Sequence, residues 1–166
     1  MLFYNLRKLS RKMAKRKILN NFPKYKDKAV ASSSRFSVVA AVIINDNGEI
    51  LLSMRQKGKM FADLWEFPGG KVEAGETEKT ALCRELNEEL SVNVQEEDLQ
   101  FFFCVEDETI HFAFYFCRRW QGNPVPLESQ MLKWANEKDL SALPMPPTDE
   151  KIKKCVFAEI NKRYIL

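Results

Sequence analysis

Gly70-Lys71-Val72-Glu73-Ala74-Gly75-Glu76-Thr77-Glu78-Lys79-Thr80-Ala81-Leu82-Cys83-Arg84-Glu85-Leu86-Asn87-Glu88-Glu89-Leu90-Ser91-Val92 decides the reading of this 166-residue chain. Glu85, Glu88 and Glu89 fall at i, i+3 and i+4 of a helical segment, and at roughly 100° per residue the three carboxylates share one face. Like charges at that spacing weaken a helix by about 0.3 kcal/mol per pair. An acidic solvent face is the ordinary explanation, but a helix that only needs solvation gains by alternating glutamate with lysine. Three carboxylates on one turn make a cage for a hard divalent cation, and Mg²⁺ prefers oxygen ligands of this kind. Leu82, Leu86 and Leu90 recur at i, i+4 and i+8, well around the helix from the glutamates, and form a separate core stripe. Thr77 is placed to cap this helix, with Glu78 in its first turn.

Upstream, Trp65-Glu66-Phe67-Pro68-Gly69-Gly70 is a short apolar run ended by a proline and paired glycines. Such a pair lets backbone pass close to another segment or to a ligand. Together the two stretches give Gly70, five residues, Glu76, seven residues, Arg84-Glu85-Leu86, one residue, then Glu88-Glu89. This spacing resembles the Nudix hydrolases, whose signature is Gly-x5-Glu-x7-Arg-Glu-U-x-Glu-Glu-x-Gly-U, with U a bulky aliphatic. Every defined position matches except Ser91, which stands where the family has glycine. A glycine just past a helix usually takes a left-handed conformation that costs an L-residue roughly 1 kcal/mol. The exchange touches helix-end geometry and stability and removes no ligand.

The resemblance implies hydrolysis of a nucleoside diphosphate linked to another group, with Glu85, Glu88, Glu89 and the Gly69 carbonyl as metal ligands and Mg²⁺, or else Mn²⁺, as the cofactor. It implies that Arg84 orients the carboxylates, that Glu76 supports the loop, and that Lys71 neutralises the departing phosphate. Leu64 to Lys71, Arg119-Trp120-Gln121-Gly122, Glu128-Ser129-Gln130 with Trp134, and Pro146-Pro147-Thr148-Asp149-Glu150 are similar to the MutT-type 8-oxo-dGTP diphosphatases. From that likeness Glu85 is the first choice of general base and Glu128 the second, and Arg55 is a phosphate contact. Asp149 matches the base-reading position. An ionised carboxylate only accepts hydrogen bonds, which suits the adjacent N1–H and N2 amino donors of guanine, whereas a protonated one also pairs with an oxidised adenine. Asp149 or Thr148 capping the last helix is the competing structural role. Phe67 and Trp65 either wall the base or pack in the core. Glu108 replaces an arginine of the MutT base pocket.

Ten Lys/Arg stand against the single acid Asp27 in residues 1–28, leaving 16 basic and 22 acidic residues, a net of −6, for the rest. A basic arm at 1–35 therefore precedes a domain at 36–166. A solvated tail, a mitochondrial transit peptide and a nucleic-acid or membrane contact compete for the arm. The expected location is cytoplasmic, or mitochondrial if the arm is a transit peptide. Cys83, Cys104, Cys117 and Cys155 show no paired spacing and read as reduced thiols. The single histidine, His111, excludes a multi-histidine metal site and reads as a packing or surface residue. No apolar run reaches the roughly 18 residues of a membrane span. A monomer acting on a nucleoside triphosphate, without membrane or nucleic-acid partners, is the expectation.

The spacing predicts a buried central strand over 37–45, a hairpin turn at Asp46-Asn47-Gly48 and a returning strand over 49–54. Strands follow at 99–105 and 109–117 around Glu106-Asp107-Glu108, then a turn at 121–124 and a short strand at 131–134. Asn136 caps a short helix, and a final helix over 149–162 buries Ile152, Val156 and Ile160. Mixed strands with helices on either side predict an α/β fold, a Nudix-type α/β/α sandwich with a mixed sheet. The function expected is Mg²⁺-dependent conversion of oxidised nucleoside triphosphates, 8-oxo-dGTP first, to the monophosphate and pyrophosphate, which sanitises the nucleotide pool. The alternatives are a CTP or modified-pyrimidine triphosphate pyrophosphohydrolase and, in another class, a non-catalytic nucleotide-binding module.

Overall fold

The computed structural model describes residues 36–106 and 108–163; the basic arm at 1–35 and Asp107 of the acidic turn lie outside the described residues. The apolar run becomes β1 (Phe36–Ile43), whose residues from Val39 onward are all buried. It is central: β4 (Gly69–Lys71) pairs antiparallel on one side and β6 (Ile110–Cys117) parallel on the other. β5 (Leu99–Glu106) adds antiparallel to β6, with a register shift between Phe101 and Phe103, giving a mixed sheet of order β4-β1-β6-β5.

The expected β1–β2 hairpin needs correction. The turn forms as expected: Asn45 Oδ1 accepts from the amides of Asn47 (3.0 Å) and Glu49 (2.9 Å), and Gly48 takes a φ of 77°. Beyond it, β2 (Ile50–Met54) meets the first strand only at the Ile44–Ile50 bridge. It then crosses into a second antiparallel sheet between β3 (Trp65–Glu66) and β7 (Leu132–Ala135). Both faces of β2 stay buried because its alternate residues serve the two cores, Leu51 one and Ile50 and Leu52 the other.

Side-chain alternation along β1 builds the layers. Val39, Ala41 and Ile43 pack with Leu82, Leu86 and Leu90 of α1 (Glu78–Leu90). Ala40 and Val42 face the other way, toward Phe67, Phe114 and the Ile152, Val156 and Ile160 stripe of α3 (Pro147–Arg163). The short α2 (Glu137–Ala142), capped by Asn136 Oδ1 on the Asp139 amide at 2.9 Å, adds Leu140 to that second core. The result is the α/β/α arrangement that the sequence predicts. No described helix is long and apolar enough to cross a membrane. The four cysteines are free thiols, and burial pushes Cys117 up to about 12, which keeps it protonated and unreactive.

His111 does more than pack. Its Nε2 lies 2.7 Å from Glu78 Oε1 and its Nδ1 3.3 Å from Glu106, while Tyr115 Oη donates to the other Glu78 oxygen at 2.5 Å. The Glu78 carboxylate raises the imidazole above its ordinary value. The first turn of α1 is thereby tied to β6.

At its other end α1 stops at Ser91, whose φ of 56° and ψ of 29° are left-handed, with its amide bonded to Asn87 O at 3.0 Å. This is the conformation for which the signature holds a glycine. Ser91→Gly is expected to stabilise the fold by about 1 kcal/mol, raising Tm by roughly 3–4 °C for a domain of this size. A melting temperature that stays level or drops in calorimetry would assign Ser91 a contact worth more than its strain.

Candidate active site

The signature stretch folds into a loop and helix held together by one guanidinium. Arg84 Nε and Nη2 reach Glu76 Oε1 and Oε2 at 2.8 and 2.9 Å, a fork-to-fork pair. Its Nη1 bridges Glu85 Oε1 (3.0 Å) and Glu88 Oε2 (3.2 Å), and Nη2 also donates to the Lys71 carbonyl at 3.0 Å. Arg84 holds the Glu76 carboxyl down at about 2, with help from the Glu73 amide, and Glu76 in turn raises the arginine further above its already high value.

The glycines of β4 are there because nothing larger fits. A Cβ on Gly69, whose φ is 153°, would strike the Val39 carbonyl of β1, and one on Gly70 would fall inside the Glu85 carboxylate. Glu85 is therefore wedged between the Gly70 backbone and Arg84. Glu89, also half-buried, accepts a hydrogen bond from the Gly69 amide. Burial pushes its carboxyl up to about 8, and the neighbouring charges of Glu128, Glu66 and Glu85 push the same way.

Glu128 arrives from a loop that also finishes α1. The amides of Val125 and Leu127 bond the Leu90 and Glu89 carbonyls, each at 3.0 Å, which would otherwise be orphaned at the helix end. Gln130 is buried between them: its Nε2 donates to Glu89 O at 3.1 Å and its Oε1 accepts the Glu128 amide at 2.9 Å. Glu128 lines a narrow cleft together with Arg55, Gln56, Lys59, Glu66 and Glu89. Lys59 Nζ sits 3.3 Å from Glu128 Oε2, and Gln56 Nε2 donates to the Glu128 carbonyl.

The candidate residues divide. Glu85, Glu88 and Arg84 are joined directly, and Glu89 and Glu128 face the same cleft. Among the described residues no three acidic, cysteine or histidine side chains already stand in a metal-holding arrangement, because Arg84 takes two of the glutamates and the Gly69 amide takes the third. The donor set nonetheless fits a hard divalent cation: it is all oxygen, and the like charges crowded on Glu89 are those such an ion would relieve. Arg55 is engaged with Glu66 through Nη1 and with the Met60 carbonyl through Nε at 2.7 Å. Lys71 lies apart from the carboxylates, its ammonium 5.8 Å from the centroid of the Phe36 ring.

Phe67 belongs to the core, 2% exposed and edge-on to Phe114, rather than open to a ligand. Asp149 is neither exposed nor a helix cap. The helix starts two residues earlier at Pro147, and Asp149, 3% exposed, accepts the Phe67 amide at 3.1 Å. Burial pushes its carboxyl up to about 7. Lys59 and Gln56 carry no mark in the sequence, because a lysine in a polar loop has no periodic signal, and Gln130 stands out there only as part of the Glu128-Ser129-Gln130 likeness. A larger groove of about 570 Å³ lies beside Asn45, Asp98, Arg119 and Trp120, and none of the signature residues lines it.

The NUDIX domain family matches residues 34–157. The chain is 40% identical over 117 residues to an 8-oxo-dGTP diphosphatase of Haemophilus influenzae, covering 69% of this chain and 86% of that protein. It is 36% identical over 113 residues to a CTP pyrophosphohydrolase of Escherichia coli, covering 67% and 84%. Among solved structures, a MutT protein from work on Aliivibrio salmonicida and Vibrio cholerae superposes with a TM-score of 0.70 at 34% identity, over 75% of this chain and 98% of that one.

Asp149 and Glu89 both titrate higher in the folded protein than at their ordinary 3.8 and 4.5. The stability compatible with their neutral forms is complete below those values and is lost as pH rises through about 7 and about 8. In divalent-free buffer, Tm should fall between about pH 4 and about pH 8, and Glu89→Gln should lessen the slope and end the fall near pH 7. A melting temperature level across that window would mean that these carboxyls are not buried as described.

Proposed function

This chain belongs to the NUDIX domain family, and from that premise we propose that it hydrolyses oxidised nucleoside triphosphates, 8-oxo-dGTP first, to the monophosphate and pyrophosphate. The observation that carries the reading is the Arg84 lock that joins Glu76, Glu85 and Glu88 beside Gly70, with Glu89 accepting the Gly69 amide and lining a cleft together with Glu128. A solvated acidic helix has no use for a half-buried Glu89 beside three other carboxylates. The similarity to 8-oxo-dGTP diphosphatases supports the substrate class.

Glu85, Glu88 and Glu89, with the Gly69 carbonyl, would hold Mg²⁺, or Mn²⁺ in its stead, and the ion when bound neutralises phosphate charge and acidifies the attacking water. The rest falls to the protein. Arg84 fixes the helix carboxylates against the loop, so they meet a polyanion without rearranging. Glu128, half-exposed and facing the cleft, takes the proton of the attacking water; Glu85 is the weaker base because Arg84 and Gly70 confine it. Arg55 reaches a phosphate only by exchanging one of its present partners. Lys71, turned toward Phe36, is left for the departing pyrophosphate. Asp149 reads the base with the oxygen not engaged by Phe67. With its carboxyl at about 7, it presents an acceptor to guanine above neutrality and a donor to an oxidised adenine below. Such an enzyme acts as a cytoplasmic monomer on free nucleotides, sparing replication from oxidised bases.

The test is kcat/KM with Mg²⁺ for 8-oxo-dGTP, dGTP, dCTP, 5-methyl-dCTP and 2-oxo-dATP, scoring pyrophosphate. A preference of roughly 100-fold for 8-oxo-dGTP, about 2.7 kcal/mol, is expected. Pyrimidine-biased rates would favour the CTP pyrophosphohydrolase reading that the second relative supports. No turnover of any nucleotide would leave a binding module. Glu89→Gln should lower kcat by at least about 100-fold while the protein still melts cooperatively; an active variant would sink the metal assignment. The ratio of 8-oxo-dGTP to 2-oxo-dATP turnover should rise between about pH 6 and about pH 8 and lose that dependence in Asp149→Asn. An unchanged profile in the variant would confine Asp149 to holding Phe67.

A further inference from the structure

A triphosphate that approaches Glu66, Glu89 and Glu128 needs a cation to meet it, and among the described residues lining their cleft the cations are Arg55 and Lys59. Arg55 is committed twice, to Glu66 and to the Met60 carbonyl. Lys59 is held far more loosely. Its contact with Glu128 is 3.3 Å long and both side chains are about half-exposed, 50% and 44%, a pairing that screened solvent leaves weak. The Glu128 backbone does not depend on it, because Gln130 holds the amide and Gln56 the carbonyl. Lys59 also rides on a loop whose neighbouring residues Phe61 and Asp63 sit at left-handed φ of 62° and 63°.

We propose that Lys59 receives the phosphate chain of the incoming nucleotide and surrenders the Glu128 carboxylate as it does so. An ammonium on a flexible four-carbon stem binds phosphate as a point charge and needs no fixed fork geometry. It exchanges a monovalent, solvent-screened partner for a polyanion already drawn into the cleft. The exchange frees Glu128, whose backbone stays in place, to turn toward the attacking water. Lys59 is thus a substrate-binding residue whose free-state partner is the catalytic base, and the ion pair keeps that base occupied until a phosphate arrives. The inference rests on the hydrolase reading and adds to it the group that meets the phosphates.

The experiment measures binding without turnover: the dissociation constant of the α,β-methylene analogue of dGTP with Mg²⁺ for wild type, Lys59→Gln, Lys59→Arg, Glu128→Gln and the Lys59→Gln/Glu128→Gln double variant. Lys59→Gln is expected to weaken binding about tenfold and Lys59→Arg to stay within about twofold of wild type. In the Glu128→Gln background the loss from Lys59→Gln should persist at about the same size. Wild-type affinity in Lys59→Gln, or a loss that vanishes once Glu128 is neutral, would overturn the proposal, the latter because Lys59 would then act only through Glu128. Hydrolysis of 8-oxo-dGTP by the wild type is scored separately. An inactive protein that still loses affinity with Lys59→Gln would sink the hydrolase reading and keep the phosphate contact.

Discussion

The guanidinium of Arg84 is the interaction on which the active end of the molecule depends. It spends its donors on three carboxylates and a backbone carbonyl, and these partners come from β4, the loop after it and α1. Remove it and Glu76 has no reason to fold back over the helix, while Glu85 and Glu88 repel one another on adjacent turns. A lysine at this position would carry the same charge but only one nitrogen, unable to grip Glu76 at both oxygens while bridging two more glutamates. The fixed spacing of the signature follows from this reach. Glu76 must stand eight residues before Arg84, and the helix must already be running when Glu85 and Glu88 arrive.

The same crowding sets the balance between stability and chemistry. Glu89 is half-buried among like charges, an arrangement that costs folding free energy at neutral pH and persists only because the surroundings over-determine it. Those surroundings are unusually economical. The loop that delivers Glu128 also supplies the amides that complete the end of α1, and Gln130 serves both with one side chain. Helix termination and the assembly of the site are one event, so damage to either reaches the other.

Local chemistry was legible in the sequence wherever partners lie within a turn or two. The Thr77 and Asn136 caps, the leucine stripe of α1, the Ile152–Val156–Ile160 face and the Asp46-Asn47-Gly48 turn all form as their spacing predicts. What escaped was set by long-range pairing. β1 and β2 look like a hairpin because their turn is a hairpin turn, yet the split into two sheets is decided by β7 and β6, whose affinity for these strands leaves no local mark. Asp149 was legible as a residue of interest but not as the acceptor for Phe67, 82 positions away, and Lys59 meets Glu128 across 69. His111 reads as a packing or surface residue because nothing in its neighbourhood announces Glu78. The signature carboxylates were the exception among distant partners, since one helix and one arginine gather them within a single stretch of chain.

Trp120 and Trp134 stack 6.0 Å apart with ring planes 27° from parallel. They stand at either end of the segment that carries Glu128, so the segment is a loop with its two ends pinned together by indole rings. Two indoles so close and so nearly parallel couple electronically, and the coupling depends steeply on their separation and angle. The molecule therefore contains its own optical gauge: any displacement of the Glu128 segment that reaches its ends alters the near-ultraviolet circular dichroism and the fluorescence of this pair, with Trp65 the one other indole in the background. Motion at the cleft is written into the spectrum of the unlabelled protein.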